Sequence, residues 1–167
     1  MFSSKALAFL ISAAALLSSC AAPRPQGDAN ALPAGFKASV VMAHNAVPGR
    51  GALGVTDHFT LDGKVVAFIA FTWTDLSAPW GRQSIEHRWY SGDRLVSQRE
   101  HEFDFPRSPH NVFTAVSPVA LGAGPARYEL YWHGIKLAER KFDIVDAAAL
   151  DALRPAPVRP NPADSPS

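Results

Sequence analysis

The stretch KVVAFIAFTW, residues 64–73, restricts more than any other what this chain can fold into. Val65, Ala67, Ile69, Phe71 and Trp73 alternate with Val66, Phe68 and Ala70, so in an extended chain the first set lines one face and the second set the other. β-Branched and aromatic residues dominate the run and turn residues bound it, which selects a strand over a helix. Both faces are apolar. A sandwich core takes one of them, and the other needs cover from a second element or from another molecule. The segment DAAALDAL, residues 146–153, is the expected cover: Asp146 supplies an N-cap, Leu150 and Leu153 share one side, and Pro155 stops the helix. A partner surface is the alternative.

Turn signals divide the neighbouring sequence into further short strands. Asp62-Gly63, between HFTL and the two-faced strand, fits a type I′ hairpin, and Gly92-Asp93, between EHRWYS and RLVSQRE, fits type II′. His133-Gly134, between RYELYW and IKLAERKFDIV, is a third and less specific mark, while FKASVVMAH and NVFTAVS add two strands. The pattern predicts an all-β sandwich of seven to eight strands over residues 36–145, the part of the chain that carries only six of its 14 prolines. Two registers follow. Leu137 is out of phase with Phe142 and Ile144, so either Ala138 is the core position or, as expected here, a bulge falls between 137 and 142, and the turn at Gly92-Asp93 pairs His87 with Gln98, leaving His87 and His101 on opposite faces unless a bulge intervenes.

The flanks have a different composition. Residues 20–35 read as a proline- and glycine-containing tether, and residues 154–167, with Pro155, Pro157, Pro160, Pro162 and Pro166, as a disordered tail. Sixteen basic against 15 acidic residues give a formal charge of +1, so no basic field points to nucleic acid. The single cysteine, Cys20, excludes an intramolecular disulfide framework.

Cys20 has its own context. Lys5 precedes an apolar run from Ala6 to Leu17, followed by Ser18-Ser19-Cys20. That run is far short of the ~20 residues a membrane-spanning helix needs, so it reads as an export signal. The order Leu17, Ser18, Ser19, Cys20 resembles the lipobox of bacterial lipoproteins. The resemblance implies diacylglycerol on the Cys20 thiol, cleavage after Ser19 so that residues 1–19 are removed, and acylation of the new amino terminus. In a Gram-negative host, Ala21 rather than Asp after the cysteine implies the outer membrane, with the domain facing the periplasm or, alternatively, the cell surface. Two or three long acyl chains would hold the protein to a bilayer essentially permanently.

The segments SIEHRWYSGDRLVSQREHEF and GPARYELYWHGIKLAERKFDIV resemble the small immunoglobulin-like sandwiches of bacterial envelope proteins. This implies a fold and carries over no catalytic residue. The paired cysteines of antibody domains are absent, which leaves Trp89 as the candidate core tryptophan.

No constellation for chemistry stands out. Six histidines invite a metal reading, but His101-Glu102 is followed by Phe105 where H-E-x-x-H needs its second histidine, so scattered surface imidazoles, His87 included, are the expected account. Glu100, Glu102 and Asp104 project from one strand face, expected to be solvated and partly neutralised by Arg99 and Arg107. Asp57-His58 reads as a turn cap beside a surface histidine, and no nucleophile elbow or phosphate-binding glycine loop occurs. No catalytic residue, metal or cofactor is therefore expected. The aromatics are the remaining lead: Trp80, in the loop SAPWG, could stand partly exposed as a contact residue, and Tyr90 and Tyr131 could face solvent beside Trp89 and Trp132. Trp80 folded back as a plug over the sandwich end is the favoured of its two readings. The sequence thus predicts a lipid-anchored envelope protein whose sandwich is a non-catalytic adaptor for another envelope component, with a glycan-binding module as the alternative and a hydrolase third.

Overall fold

The structure, a computed structural model, describes residues 31–148. It contains β1 (Lys37–Val47), β2 (Gly51–Val55), β3 (His58–Thr60), β4 (Val65–Thr72), β5 (Gly81–Ser91), β6 (Arg94–Phe105), β7 (His110–Val116), the short helix α1 (Pro118–Leu121), β8 (Gly124–Trp132) and β9 (Ile135–Val145). The strands form two sheets, ordered β2-β1-β4-β7 and β3-β9-β8-β5-β6. The expected all-β sandwich is the fold, with nine strands among the described residues rather than seven or eight. The strand missed from sequence is β2, GALGV, whose two glycines erase the alternating pattern. With β1, β4 and β7 in one sheet and β5, β8 and β9 in the other, the connectivity is that of an immunoglobulin-like Greek key.

The two-faced strand is β4. Val65, Ala67, Ile69 and Phe71 point into the core and are fully buried, opposite Ile85, Trp89, Tyr128, Leu130, Phe142 and Ile144 of the other sheet. Trp89 is the core tryptophan, its ring 4.7 Å from Tyr128 and edge-on to Phe142 at 6.2 Å.

Two turns form as expected and one does not. Gly92 has φ +56° within a two-residue loop joining Ser91 to Arg94, and His133 (φ +46°) and Gly134 (φ +78°) both adopt the positive φ of a type I′ turn between Trp132 and Ile135. Asp62-Gly63 makes a turn, in which the Gly63 N–H donates to the Thr60 carbonyl at 3.2 Å, but not a hairpin. The three residues of β3 pair in parallel with β9, and β4 enters the opposite sheet. A turn dipeptide fixes a reversal of direction; the neighbour that satisfies the strand's backbone is a tertiary choice.

Both registers also needed correction. Leu130 pairs with Ala138 and Tyr131 with Lys136, so Leu137 itself is the extra residue, and the alternation then runs unbroken from Ala138 to Ile144. Tyr90 pairs with Leu95 and Trp89 with Ser97, which leaves Val96 as a bulge on β6. His87 therefore pairs with Arg99, not Gln98, and shares a face with His101.

At the margins, α1 was not foreseen; a four-residue helix is too short for periodicity, and it begins at Pro118 and ends at Gly122, whose N–H donates to the Pro118 carbonyl at 2.9 Å. Residues expected to be tether are tied to the domain: Phe36 N–H donates to Pro33 at 3.1 Å and Thr74 N–H to Ala34 at 3.0 Å. Gly35 between them has φ +67° and Thr74 where a side chain would go. Of the predicted helix 146–153, Asp146 is not helical and Ala147 and Ala148 are, whereas residues 149–153, the tail 154–167 and the residues Leu17 to Cys20 lie outside the described residues. No helix of the described residues is long and apolar enough to cross a membrane.

Candidate functional site

Trp80 takes the favoured of its two readings and is not an exposed contact residue: it is 6% exposed. Asp75 Oδ1 accepts the N–H groups of Ser77 and Ala78, which curls the loop back, and the Trp73 indole N–H donates to the Ala78 carbonyl at 2.8 Å. The Trp80 ring then packs against Phe36, Phe105 and Trp132 at centroid distances of 4.8, 4.8 and 5.6 Å. Gln83 donates to the Trp80 carbonyl and accepts from the Trp132 indole, each at 2.9 Å. Trp80 is a plug closing one end of the sandwich.

Tyr90 and Tyr131 stand on the outward face of the five-stranded sheet, in cross-strand pairs Tyr90 with Arg127, Arg88 with Glu129, and Glu86 with Tyr131. Each ring lies under a guanidinium: Arg127 is 3.8 Å from the Tyr90 centroid and Arg88 is 4.0 Å from that of Tyr131. Arg88 also donates twice to Glu86, at 2.9 and 3.0 Å. Glu129 is the hub, accepting from Tyr131 at 2.9 Å, Arg127 at 3.1 Å and Lys136 at 3.3 Å. Burial pushes its carboxyl up, but those three donors outweigh burial and hold it below the usual carboxylate range. Farther out, Glu102 pairs with Arg82, and Ser84 donates to Glu100 at 2.5 Å, so these two members of the acidic row find their partners on β5 and not in Arg99 or Arg107. This face is polar and satisfied by its own partners.

The histidines do not converge. Asp57 pairs with Arg140, while His58 lies 3.8 Å from Asp143, so the adjacent Asp57 and His58 serve different partners. His87, expected at the surface, is fully buried; its Nδ1 shares a 2.6 Å hydrogen bond with the Tyr128 hydroxyl and its Nε2 has no hydrogen-bond partner among the described residues. Burial, with a smaller contribution from nearby His101, pushes its pKa down to about 4. Among the described residues, no three His, Cys, Asp or Glu side chains group as metal ligands.

The opposite outer face is different. Val66, Phe68 and Ala70 of β4 point away from the core, and Phe113 of β7 sits directly across from Phe68. Phe68 also pairs with Val41 on β1, while Gly51 pairs with Val47, six positions along the same strand. In a straight strand that offset is ~20 Å. Yet a Cβ on Gly51 would lie 3.9 Å from the Phe68 ring, so the β1–β2 hairpin doubles back over the outer face. The bend falls after Ala43, the last β1 residue paired with β4, where Asn45 Oδ1 accepts the Ala46 N–H and Gly54 opposite His44 has φ +67°.

Between the folded-over tip and β7 runs a cleft of about 800 Å³, walled by residues 47–51 on one side and by Phe68, Phe103 and residues 110–113 on the other. Among the described residues that line it, Arg50 is the one full charge and there is no carboxylate. Phe113 in its wall is 44% exposed, and on the same outer face Leu53 (44%) and Val55 (61%) of β2 add exposed apolar surface. The hairpin thus covers part of the second face of β4 and leaves the rest open. The sequence pointed to Phe68 through the two-faced pattern; the tip was invisible because glycines, not apolar residues, make the bend.

No protein-family model matches the chain, and no curated protein matches it in sequence. Among solved structures, it is similar to an immunoglobulin-like protein from Pseudomonas aeruginosa at 12% identity and a TM-score of 0.47, covering 69% of this chain and 100% of that one. It is also similar to part of a β-glucosidase from Listeria innocua (9% identity, TM-score 0.44, 65% of this chain and 16% of that one). A β-glucosidase involved in saponin metabolism from intestinal bacteria gives 13% identity and a TM-score of 0.42, over 67% of this chain and 16% of that one.

Proposed function

We propose that this chain is an envelope lipoprotein, anchored in the outer membrane through acylated Cys20, whose β-sandwich is a non-catalytic adaptor that docks another envelope component. The observation carrying the adaptor reading is the asymmetry of the two outer faces. One is a charged lattice centred on Glu129 whose groups meet their own partners; the other leaves Phe113, Leu53 and Val55 uncovered beside an open cleft. Apolar patches rimmed by polar residues mark interaction surfaces. The anchor rests on the order Leu17, Ser18, Ser19, Cys20 behind an apolar run too short to span a bilayer.

Two experiments test the two halves. Cys20→Ser is expected to abolish incorporation of labelled fatty acid and to release the protein from membranes; unchanged membrane association removes the anchor. A photoreactive residue at position 113 is expected to capture a partner in intact cells, whereas one at position 84, on the charged face, captures none. Equal capture from both positions, or none from 113, defeats the adaptor reading. The glycan alternative loses Trp80 to the core and is left with Tyr90 and Tyr131, each with one ring face under an arginine.

A further inference from the structure

Among the described residues the sandwich has four edge strands: β2 and β7 in one sheet, β3 and β6 in the other. An edge presents unpaired backbone groups that invite another strand, and proteins ordinarily blunt it by shortness, bending or charge. Three of the four are blunted. β3 has three residues, β2 is bent by Gly51 (φ +88°) and Gly54 (φ +67°), and β6 carries Arg94, Arg99, Glu100, Glu102 and Asp104. The fourth, β7, reads HNVFTAV: seven residues without lysine, arginine, carboxylate, proline or glycine. No strand among the described residues occupies its outer side.

The same strand borders the cleft. Phe68 belongs to the outer face of the sheet that β7 ends, whereas Phe103 comes from β6 in the opposite sheet. A cleft lined by both, and by residues 110–113 between them, wraps around the β7 edge. A strand laid along that edge would send alternate side chains to the Phe68 and Phe113 side and to the Phe103 side. Its backbone would pair with β7. Arg50, in a cleft with no carboxylate among the described residues that line it, supplies a charge for an acidic group on the incoming strand.

We propose that β7 and the adjoining cleft form a strand-addition site that accepts an extended peptide of a partner protein, apolar at alternate positions and carrying a carboxylate where it reaches Arg50. Main-chain hydrogen bonds would supply affinity, with the phenylalanine-lined cleft and Arg50 supplying selectivity. The inference rests on the adaptor reading and gives it a mode.

The test uses the purified full chain and a fluorescent synthetic peptide of the same seven-residue length as β7, alternating valine and threonine, with glutamate at one end. Two further peptides carry N-methyl groups on alternate amides, or lysine in place of glutamate. Saturable binding in anisotropy titrations is expected for the first and its loss for the N-methylated one. Arg50→Glu is expected to weaken the glutamate peptide about tenfold and to favour the lysine peptide, because a charge swap should be rescued by its complement. No binding to a wild-type chain with native near-ultraviolet dichroism, or binding indifferent to N-methylation, overturns the proposal. So does concentration-dependent dimerisation lost in Phe113→Lys, since a second copy would then be the occupant. Failure of the peptides with continued capture from position 113 removes strand addition alone; failure of that capture removes the adaptor reading beneath it.

Discussion

The Nδ1 atom of His87 and the hydroxyl of Tyr128 lie 2.6 Å apart, sealed between the two sheets, and the Nε2 atom of the same imidazole has no partner among the described residues. A protonated ring would carry a charge into that apolar surrounding, so His87 folds as a neutral group with a pKa pushed down to about 4, while an exposed histidine titrates near 6.5. Above 6.5 neither the folded nor the unfolded chain binds this proton. Between 6.5 and 4 the unfolded chain binds it and the folded chain does not, so stability falls as the pH falls. At ~1.4 kcal/mol per pH unit, the window is worth about 3 kcal/mol. Urea unfolding at pH 7 and pH 4.5 is expected to show that loss in the wild type. The double substitution His87→Phe with Tyr128→Phe, which leaves no buried hydroxyl stranded, should flatten the slope, and equal slopes would remove the assignment.

Much of the fold could be read from the sequence because period-two alternation in the strands that became β4, β5 and β8 is a local property, written in consecutive residues. What could not be read was set by groups distant in sequence. Val96 and Leu137 are ordinary strand residues that became bulges only because the paired strands required them, and the bulge at Val96 is what brought His87 and His101 to one face. The cleft was half legible: Phe68 was flagged by its position on a second apolar face, whereas the hairpin that folds over it is turned by Gly51 and Gly54, whose positive φ angles leave no trace in hydrophobic periodicity.

Trp80 was weighed as a ligand platform and sits instead in a cluster with Phe36, Phe105 and Trp132. Trp80→Ala is therefore expected to cost about 3–5 kcal/mol of folding stability, the range for truncating a large buried aromatic. Chemical denaturation at pH 7 measures it directly. A loss below about 1 kcal/mol would mean that the ring does not plug the sandwich end.

Glu129 is almost wholly buried, yet its carboxyl is held ionised by Tyr131, Arg127 and Lys136. Glu129→Gln keeps the shape but removes the charge, leaving Arg127 and Lys136 without their shared counter-ion, and is expected to cost about 2 kcal/mol at pH 7. The sign with pH is distinct from that of His87. A carboxyl whose folded pKa is depressed contributes its stability above the ordinary carboxylate value and loses it as the pH falls through the lower folded value. The gap between wild type and variant should therefore be full at pH 7, persist to about pH 4.5, and shrink toward pH 2. A gap that stays constant down to pH 2 would mean that the lost energy is packing rather than charge.

Gly54 governs the hairpin that shapes the cleft. Its φ of +67° disfavours any side chain, and a Cβ there would stand 3.1 Å from the His44 ring. Gly54→Ala should cost about 1–2 kcal/mol from the backbone angle alone, with a further penalty from the crowding. Because the bend carries Gly51 onto Phe68, straightening it should also weaken the nuclear Overhauser contacts between the Phe68 ring and residue 51 and open the cleft. Adding His44→Ala relieves the crowding but not the angle, so the double variant is expected to recover only part of the stability. Full recovery would show that the clash with His44, and not the left-handed angle of Gly54, sets the cost. Unchanged contacts at Phe68 would show that the hairpin holds its place over β4 without the glycine.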